Sequence, residues 1–338
     1  MFKLPRHLYW LLLIVIVNLF LLTILIHFLW YAPTQKNDNI VEIPLHSGTI
    51  KITQLLQKAK VIRSAKFFQV YLALTGKARK LKAGEYSFPA RASMTSVANK
   101  LVAGEVIIHA ITIPEGFTLK QIAQKLSEQK LVKQDDFLLL ATKSTLAKNW
   151  NIPSQKLEGF LFPDTYHWIK GISTRKIIEQ MLDSFWQHVD KSLIIAAKKQ
   201  NFNLYKLITL ASIIEKEAKA KKELPLIASV FYNRLKKNMR LESCATVLYS
   251  QNRTTGPVTL KDLETVSPYN TYQHKGLPPG PICNPGLAAI QAAAFPAKTD
   301  YLFFVVKSDG THVFSRDFTE HKRAKWQQKK IKHQKIRL

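Results

Sequence analysis

The sequence predicts an α+β protein with an N-terminal transmembrane helix, a small subdomain of strand-and-helix units and a larger mixed α+β domain. Two observations lead to this fold class. Residues 8–31 are apolar and contain no Asp, Glu, Lys or Arg, and the remaining chain alternates short β-type runs with longer runs of helical period. Because the chain has 338 residues, the part after the apolar run is long enough for two or more domains with cores of their own.

Residues 8–31 meet the length requirement for a helix that crosses a membrane. At a rise of ~1.5 Å per residue, the run exceeds the ~30 Å of a bilayer's hydrocarbon core. Lys3 and Arg6 precede it, so the positive-inside rule places residues 1–7 in the cytoplasm and everything after the linker at 32–41 outside it. A cleaved signal peptide is the alternative, but the run is too long for one and residues 30–33 lack the small side chains of a cleavage site.

The charge of the chain limits its partners. Lys and Arg number 50 against 23 Asp and Glu, a net charge of +27, which predicts attraction to polyanions. Outside the cytoplasm the polyanions are anionic lipid head groups and acidic wall polymers, so nucleic acid is not expected as a partner. The tail at 326–338 contains basic but no acidic residues and is predicted to be a solvated, partly disordered end.

Neither a metal nor a cofactor is predicted. Cys244 and Cys283 match no metal-binding spacing, and the histidines are scattered without ligand spacing. Two exported cysteines can form a disulfide, and the sequence leaves that possibility open. Cys244 is interpreted as a packing residue, because its surroundings lack the signature of a catalytic thiol.

Residues 42–133 contain three short strand-and-helix units. Each has a β-type run, a turn signal and then apolar residues at helical spacing, and the units begin near Ile43, Gly84 and Ile111. The last unit contains the pattern G-x-T-L-x-x-I-A, and the region resembles LysM-type modules, which are associated with binding glycans that contain N-acetylglucosamine. A region that only packs under the next domain is an equally good interpretation.

Residues 134–325 change toward longer helices. An apolar face at 177–185 and a second helical pattern at 204–218 predict two of them. Further on, residues 301–306 are predicted to be a buried strand and residues 312–314 its hairpin partner. This mixture of long helices and a late hairpin makes the domain α+β.

The helix at 204–218 carries two acids that cannot face one cleft. Its apolar stripe includes Leu210 and Ile214 and continues at Glu217, so burial is expected to raise the pKa of Glu217 and keep it protonated, as a general acid requires. Glu215 lies roughly 160° away around the helix and is the alternative acid. A lysine follows each acid four residues later, which is typical of a solvated helix and is the competing interpretation.

Six sequence blocks occur in order through the larger domain. They are Leu157-Glu-Gly-Phe-Leu-Phe-Pro-Asp-Thr-Tyr166, Ala211-Ser-Ile-Ile-Glu-Lys-Glu217, Val230-Phe-Tyr-Asn-Arg-Leu235, Met239-Arg-Leu241, Ser267-Pro-Tyr-Asn-Thr-Tyr272 and Gly276-Leu-Pro-Pro-Gly-Pro-Ile282. Together they resemble the MltG (YceG-like) family of endolytic murein transglycosylases. The chain departs from the family at one point, where Cys244-Ala-Thr-Val247 replaces the frequent Asp-Pro-Thr-Val.

The resemblance implies a function and a location. Glu217, the second glutamate of the E-K-E block, takes the place of the family's catalytic acid, and residues 134–325 that of the catalytic domain. The implied activity is that of a lyase that cleaves the MurNAc-GlcNAc bond of nascent peptidoglycan strands, leaves 1,6-anhydroMurNAc ends and terminates strand elongation. The implied location is the cell inner membrane, with the catalytic domain in the periplasm near peptidoglycan synthases and division proteins.

Four further residues are predicted to bind the substrate. Tyr272 offers an aromatic face and a hydroxyl, and Asn270 and Asn233 offer amides that can orient N-acetyl groups. Asp164 ranks below them, because it can equally fix its own loop through local hydrogen bonds. Two other functions stay open: a non-catalytic glycan-binding scaffold, and a muramidase that uses Asp164 or Glu158 as a second carboxylate.

Overall fold

The N-terminal apolar run forms helix α1, Arg6–Trp30, in the computed structural model, which describes residues 6–31, 38–143, 146–218 and 220–336. Its segment Tyr9–Trp30 has a mean hydropathy of 2.8 and is 0% buried. Among the described helices it is the one that is long and apolar enough to cross a membrane. Most of the predicted cytoplasmic end at 1–7 and of the linker at 32–41 lies outside the described residues.

The described residues up to Ala110, together with His167–Ile172, form one compact unit. Its two strands pair antiparallel, and their inward side chains join those of three helices in an apolar core that includes Leu56, Phe68 and Val97. After α1 its elements are β1 (Asn39–Ile43), α2 (Thr49–Lys58), α3 (Ala65–Leu74), β2 (Gly84–Phe88) and α4 (Met94–Ala103).

The second unit comprises Ile111–Tyr166 and the described residues from Ser173 onward. The boundary between the units falls inside β3 and β4. From these strands to the end, the elements are β3 (His109–Thr112), α5 (Leu119–Glu128), α6 (Gln134–Thr142), α7 (Leu146–Asn149), β4 (Thr165–Trp168), α8 (Thr174–His188), α9 (Lys191–Lys199), α10 (Leu204–Glu217), α11 (Leu224–Lys236), α12 (Cys244–Ser250), α13 (Leu260–Leu263), α14 (Leu287–Ala294), β5 (Phe303–Val306), β6 (His312–Ser315) and α15 (Phe318–Ile336).

Helix α10 is the centre of the second unit. Asn203 caps its first turn, since the Asn203 side chain accepts a hydrogen bond from the backbone N–H of Lys206 at 2.9 Å. Residues 207–214 are all buried, and α14 packs against the helix. The helix ends at Glu217, because Ala218 adopts an extended backbone (φ −95°, ψ 134°). A long apolar helix thus delivers a carboxyl group at its terminus.

Most of the elements predicted for the larger domain are confirmed. The apolar face at 177–185 lies on α8 and is buried, and the pattern at 204–218 forms α10. Strands β5 and β6 pair antiparallel with Phe304 opposite Phe314, as predicted for the hairpin. The predicted burial of the first strand is wrong: β5 is half-buried and Val306 is 52% exposed, although α15 and α11 pack against the strand.

Two other predictions are corrected. The tail was expected to be partly disordered, but α15 continues through it to Ile336, in keeping with the high helix propensity of Lys, Gln and Arg. The third strand-and-helix unit was grouped with residues 42–133, yet α5 belongs to the second compact unit. There Thr118 caps α5 in a capping box with Gln121.

Candidate active site

Glu217 reaches from the end of α10 to the start of α12. Its Oε1 accepts a hydrogen bond from the hydroxyl of Ser243 at 2.5 Å. Ser243 is 2% exposed and immediately precedes α12. The carboxyl group is therefore held by a donor from a segment 26 residues later in the chain.

Burial raises the pKa of the Glu217 carboxyl above its ordinary value. The hydrogen bond from Ser243 opposes that rise, as do the electrostatic contributions of His312 and Arg234. Because burial dominates, protonation is easier than for an ordinary glutamate, and a protonated carboxyl that has one donor among the described residues keeps an oxygen with which it can act as a general acid.

Two cavities share Glu217 as a wall residue. The first has a volume of about 130 Å³ and is lined also by Thr118, Lys216, Cys244 and Tyr249 among others. The second has a volume of about 460 Å³, and its other walls come from the β5–β6 hairpin and from α15. A third cavity of about 560 Å³ shares Thr118 and Tyr249 with the first. The carboxyl group thus lies at a junction of open space within the second unit.

A hydroxyl network fixes Ser243. The backbone N–H of Ser243 donates to Oγ1 of Thr271 at 3.0 Å, and the hydroxyls of Thr271 and Thr246 are 2.8 Å apart. All three residues are buried. Just before Ser243, the guanidinium of Arg234 donates to the carbonyl of Leu241 at 3.0 Å. The donor to Glu217 is therefore rigidly positioned by two of the blocks that the sequence singled out.

Glu215 points to different partners. Its Oε2 accepts a hydrogen bond from the backbone N–H of Gly286 at 3.0 Å. Burial raises the pKa of Glu215 too, and the negative charge of Glu115 adds to that rise against the donation from Gly286. Glu215 lines neither of the cavities that contain Glu217, in agreement with the angular separation of the two acids on the helix.

Among the predicted substrate-binding residues, Tyr272 has a hydroxyl whose pKa responds to the charge of Glu217. Burial is the main cause that raises the pKa of the Tyr272 hydroxyl, and the charge of Glu217 contributes. Asn270 is 0% exposed. Its amide donates to the carbonyls of Leu263 and Thr265, each at 2.9 Å, and accepts from the N–H of Tyr272. The amide of Asn270 is thus enclosed and fixes the loop that carries Tyr272, and its contact with glycan stays a prediction.

Asn233 and Asp164 lie away from the two Glu217 cavities. Asn233 lines a different cavity, and its amide donates to the carbonyls of Thr299 at 2.7 Å and Tyr301 at 3.0 Å. Asp164 accepts from the N–H of Thr165 at 2.7 Å, which is the local loop contact that the sequence offered as its alternative role. Their binding of substrate stays a prediction.

Both cysteines are free thiols. Cys244 is exposed and lines the first cavity, with its Sγ 3.2 Å from the Tyr272 hydroxyl. Its interpretation as a packing residue is therefore wrong: the first position of α12 faces open space. Cys283 is fully buried and lies against the carbonyl of Ser212.

Sequence reasoning did not identify Ser243 or His312 as site residues. Ser243 stands between two recognised segments, two residues after Leu241 and directly before the Cys-Ala-Thr-Val segment, and this position was the one available signal. His312 was noted only as part of a strand. Its partner Glu223 is 89 residues away, so no local pattern connects them.

Fold and site together describe an α+β domain in which a half-buried carboxyl group with a raised pKa lines two cavities, an arrangement suited to general-acid chemistry. The chain belongs to the YceG-like family, whose model matches residues 41–327. This confirms the family that the six blocks predicted.

Curated relatives and a solved structure agree. The chain is 38% identical over 315 residues to a Bacillus subtilis protein named endolytic murein transglycosylase, covering 87% of this chain and 86% of the relative. It is 32% identical over 324 residues to a Streptococcus pneumoniae R6 protein of the same name, covering 86% of this chain and 58% of that one. A 2.6 Å crystal structure of a YceG-like protein from Listeria monocytogenes matches with a TM-score of 0.61 and 35% identity, covering 86% of this chain and 99% of that chain.

Proposed function

We propose that this protein is a membrane-anchored endolytic murein transglycosylase, a lyase that acts on the glycan strands of peptidoglycan. The activity is the one that its curated relatives are named for. The observation that carries the assignment to residues is the position of Glu217, a half-buried carboxyl group with a raised pKa that lines two cavities.

In the proposed reaction Glu217 acts twice. As an acid it donates its proton to the oxygen that links N-acetylmuramic acid to N-acetylglucosamine, and the bond from muramoyl C1 to that oxygen breaks. As the resulting carboxylate it accepts the proton of the muramoyl C6 hydroxyl, whose oxygen forms a new bond to C1. The products are a 1,6-anhydromuramoyl end and a free hydroxyl on the N-acetylglucosamine. Water is not consumed, and Glu217 regains its proton.

The surroundings of Glu217 favour a single-acid mechanism over a muramidase with two carboxylates. A hydrolase of that kind needs a second carboxylate across the scissile bond, at a separation of roughly 5–9.5 Å. The two residues proposed for that role, Asp164 and Glu158, line neither cavity that contains Glu217. In a transglycosylase the substrate supplies the nucleophile, so one carboxyl group suffices.

Cleavage inside a strand needs room on both sides of the bond. Among the described residues, Glu217 is the one that the first and second cavities have in common. A strand that fills both cavities therefore has a glycosidic bond beside Glu217. Nascent strands are the proposed substrate and termination of their elongation the proposed outcome. In this arrangement α1 anchors the chain in the inner membrane with its N-terminus in the cytoplasm, and the catalytic domain lies in the periplasm near peptidoglycan synthases and division proteins.

The region at 42–133 is proposed to assist as a LysM-like glycan-binding region. Its described strands and helices are compatible with that role. The region contains few acidic residues, and the whole chain has a net charge of +27. Binding of isolated glycan strands by a Glu217→Gln variant, with and without substitutions in this region, tests the role separately from cleavage.

Product analysis tests the proposed reaction directly. Uncrosslinked peptidoglycan strands are incubated with the full-length protein in detergent, and the fragments are identified by mass spectrometry. We expect internal fragments with anhydromuramoyl ends from the wild type and none from Glu217→Gln. Reducing ends in place of anhydro ends indicate a muramidase, and strand binding without any cleavage indicates a scaffold.

A further inference from the structure

The second cavity beside Glu217 has a wall that the proposed reaction does not use. Phe304 and His312 from the β5–β6 hairpin face it, and so does Lys325 from α15. The rings of Phe304 and His312 meet edge to face with their centroids 5.3 Å apart. An aromatic surface next to polar nitrogen atoms is the kind of wall on which proteins hold sugar rings.

One edge of the His312 ring is fixed by Glu223. Oε2 of Glu223 lies 2.8 Å from Nδ1 of His312, and Oε1 accepts a hydrogen bond from the backbone N–H of the same histidine at 3.1 Å. The two side chains are 4% and 10% exposed. Burial alone raises the pKa of Glu223, but the hydrogen bonds from His312 outweigh it, and the net pKa lies below the ordinary value. An ionised Glu223 accepts hydrogen bonds only, so Nδ1 carries a proton.

The other edge of the ring is free. Among the described residues Nε2 of His312 has no hydrogen-bond partner, and it is not one of the polar atoms that are sealed from solvent without a partner. Because His312 lines the cavity, Nε2 is the atom that it can offer to a ligand. Burying an ionised carboxylate is costly, and here its two hydrogen bonds fix the orientation of a ring whose free nitrogen shares a cavity with Glu217.

We propose that His312 binds the glycan strand. Its Nε2 forms a hydrogen bond with a hydroxyl or N-acetyl group of the sugar next to the scissile bond, in the second cavity, and Glu223 holds the imidazole in that orientation. The strand's sugar ring lies against Phe304. The proposal rests on the proposed function, since it takes a peptidoglycan strand as the ligand, and it assigns His312 to substrate binding and Glu223 to positioning.

Two substitutions separate binding from a purely structural role. In His312→Asn the amide can still contact Glu223, but asparagine has no atom at the place of Nε2. In His312→Gln the amide nitrogen lies near the place of Nε2, while the contact with Glu223 is lost. Each is made in the full-length protein, alone for cleavage kinetics and with Glu217→Gln for measurement of strand affinity, so that binding is measured without turnover.

We expect His312→Asn to raise KM, and the Kd in the Glu217→Gln background, about tenfold on uncrosslinked glycan strands, with thermal stability close to that of the wild type. His312→Gln is expected to keep KM within about threefold and to lower Tm, because a buried carboxylate loses its partner. The opposite pattern, with normal affinity for Asn and weakened affinity for Gln, overturns the proposal and leaves His312 a structural residue.

The remaining outcomes are also decisive. If His312→Asn does not fold, an affinity of His312→Gln as poor as that of His312→Ala contradicts the proposal, and a retained affinity supports it. If the wild type and Glu217→Gln give the same products, the proposed catalytic role of Glu217 fails. In that case the KM values of the His312 single variants still report on His312, so the two failures are distinguishable.

Discussion

Two glutamates of the second unit, Glu217 and Glu158, both have a pKa that burial raises, but their hydrogen-bond partners differ. Burial raises the pKa of Glu158 to about 8 and raises that of Glu217 above its ordinary value. The Glu158 carboxyl accepts hydrogen bonds from Leu119 N–H at 3.0 Å, Asn284 Nδ2 at 3.2 Å and the Tyr249 hydroxyl at 3.3 Å. Glu217 has a single donor, Ser243, among the described residues.

The difference shows that burial alone does not identify a catalytic acid. Glu158 fastens three segments to one another: the start of α5, the loop at Asn284 and helix α12. Both of its oxygens accept hydrogen bonds from the fold, and the residue lines the third cavity rather than the two that contain Glu217. Glu217 accepts from one donor among the described residues and lines the first and second cavities. A general acid needs both a raised pKa and an oxygen free to meet the substrate, and of these two residues it is Glu217 that keeps an oxygen without a donor in the described part of the chain.

The largest expected effect is the loss of cleavage in Glu217→Gln. Removing a general acid typically lowers the rate by about 10²–10⁴-fold, whereas Glu158→Gln should leave the rate per folded molecule within about threefold of the wild type. Cleavage is measured on uncrosslinked strands, with circular dichroism as the check on folding. An equal loss in both well-folded variants breaks the distinction between the two residues.

Glu158 is expected to affect stability and its dependence on pH. The folded-state pKa of about 8 lies above the ordinary value of 4.5, so the folded protein binds this proton more tightly than the unfolded chain. Its contribution is complete below pH 4.5 and is lost as the pH rises toward 8. The free energy of unfolding should therefore fall between pH 5 and 8, on the order of 2 kcal/mol more in the wild type than in Glu158→Gln.

Denaturant titrations at both pH values measure this difference. Other titrating groups contribute equally to the two proteins, so the comparison isolates Glu158. Glu217→Gln serves as the matched control and tests whether the effect belongs to buried glutamates in general. Parallel pH dependence in the wild type and Glu158→Gln contradicts the assignment of a raised pKa to this residue.

Ser243→Ala sharpens the role of the single donor to Glu217. The Ser243 hydrogen bond lowers the pKa of Glu217 against the effect of burial, so its removal should raise that pKa further. We expect a rate loss of about tenfold from poorer positioning and a shift of the alkaline limb of the pH-rate profile to higher pH. Ser243→Thr keeps the hydroxyl and should restore the position of that limb. A loss of rate without any shift means that Ser243 only supports the fold.

The smallest effect is expected from the cysteines, which report on access to the two regions. Cys244 lines the cavity beside Glu217, and the charge of Glu158 acts on the buried Cys283, whose pKa is raised well above its ordinary value, mainly by burial. A maleimide should label Cys244 rapidly and leave Cys283 unmodified in the folded protein, as mapped by peptide mass spectrometry. Cys244→Ser should keep its rate within about twofold, and bulky labelling of Cys244 should block cleavage. Fast labelling of Cys283 contradicts the burial of this thiol near Glu158.

Part of the fold and of the candidate site was predictable from the period of an α-helix. The run to Ile214 and the position of Glu217 at the end of its stripe follow from the period of an α-helix, and the length of residues 8–31 follows from the thickness of a bilayer. The hairpin of β5 and β6 was predictable because its strands are adjacent in the chain. Each of these signals lies within a short window of sequence.

What the sequence could not predict depended on surroundings. The side-chain chemistry of Asn270 predicts glycan binding, while the fold encloses the residue and uses its amide for the loop of Tyr272. Cys244 was assigned to packing, and its position at the start of α12 exposes it. Residue type states what a side chain can bind, whereas burial and neighbours decide whether it meets a ligand.

The sequence by itself determined the apolar helix, the order of the family's blocks and the helix that ends in Glu217, because these depend on local periodicity and composition. Only the tertiary structure decided that Ser243 donates to Glu217 and that Glu223 orients His312 toward the same cavity. It also decided that Glu158 accepts from three donors, whereas Glu217 accepts from one among the described residues. These contacts join residues 26, 39 and 89 positions apart. Pairing at such separations is specified by how the helices pack and not by any single segment.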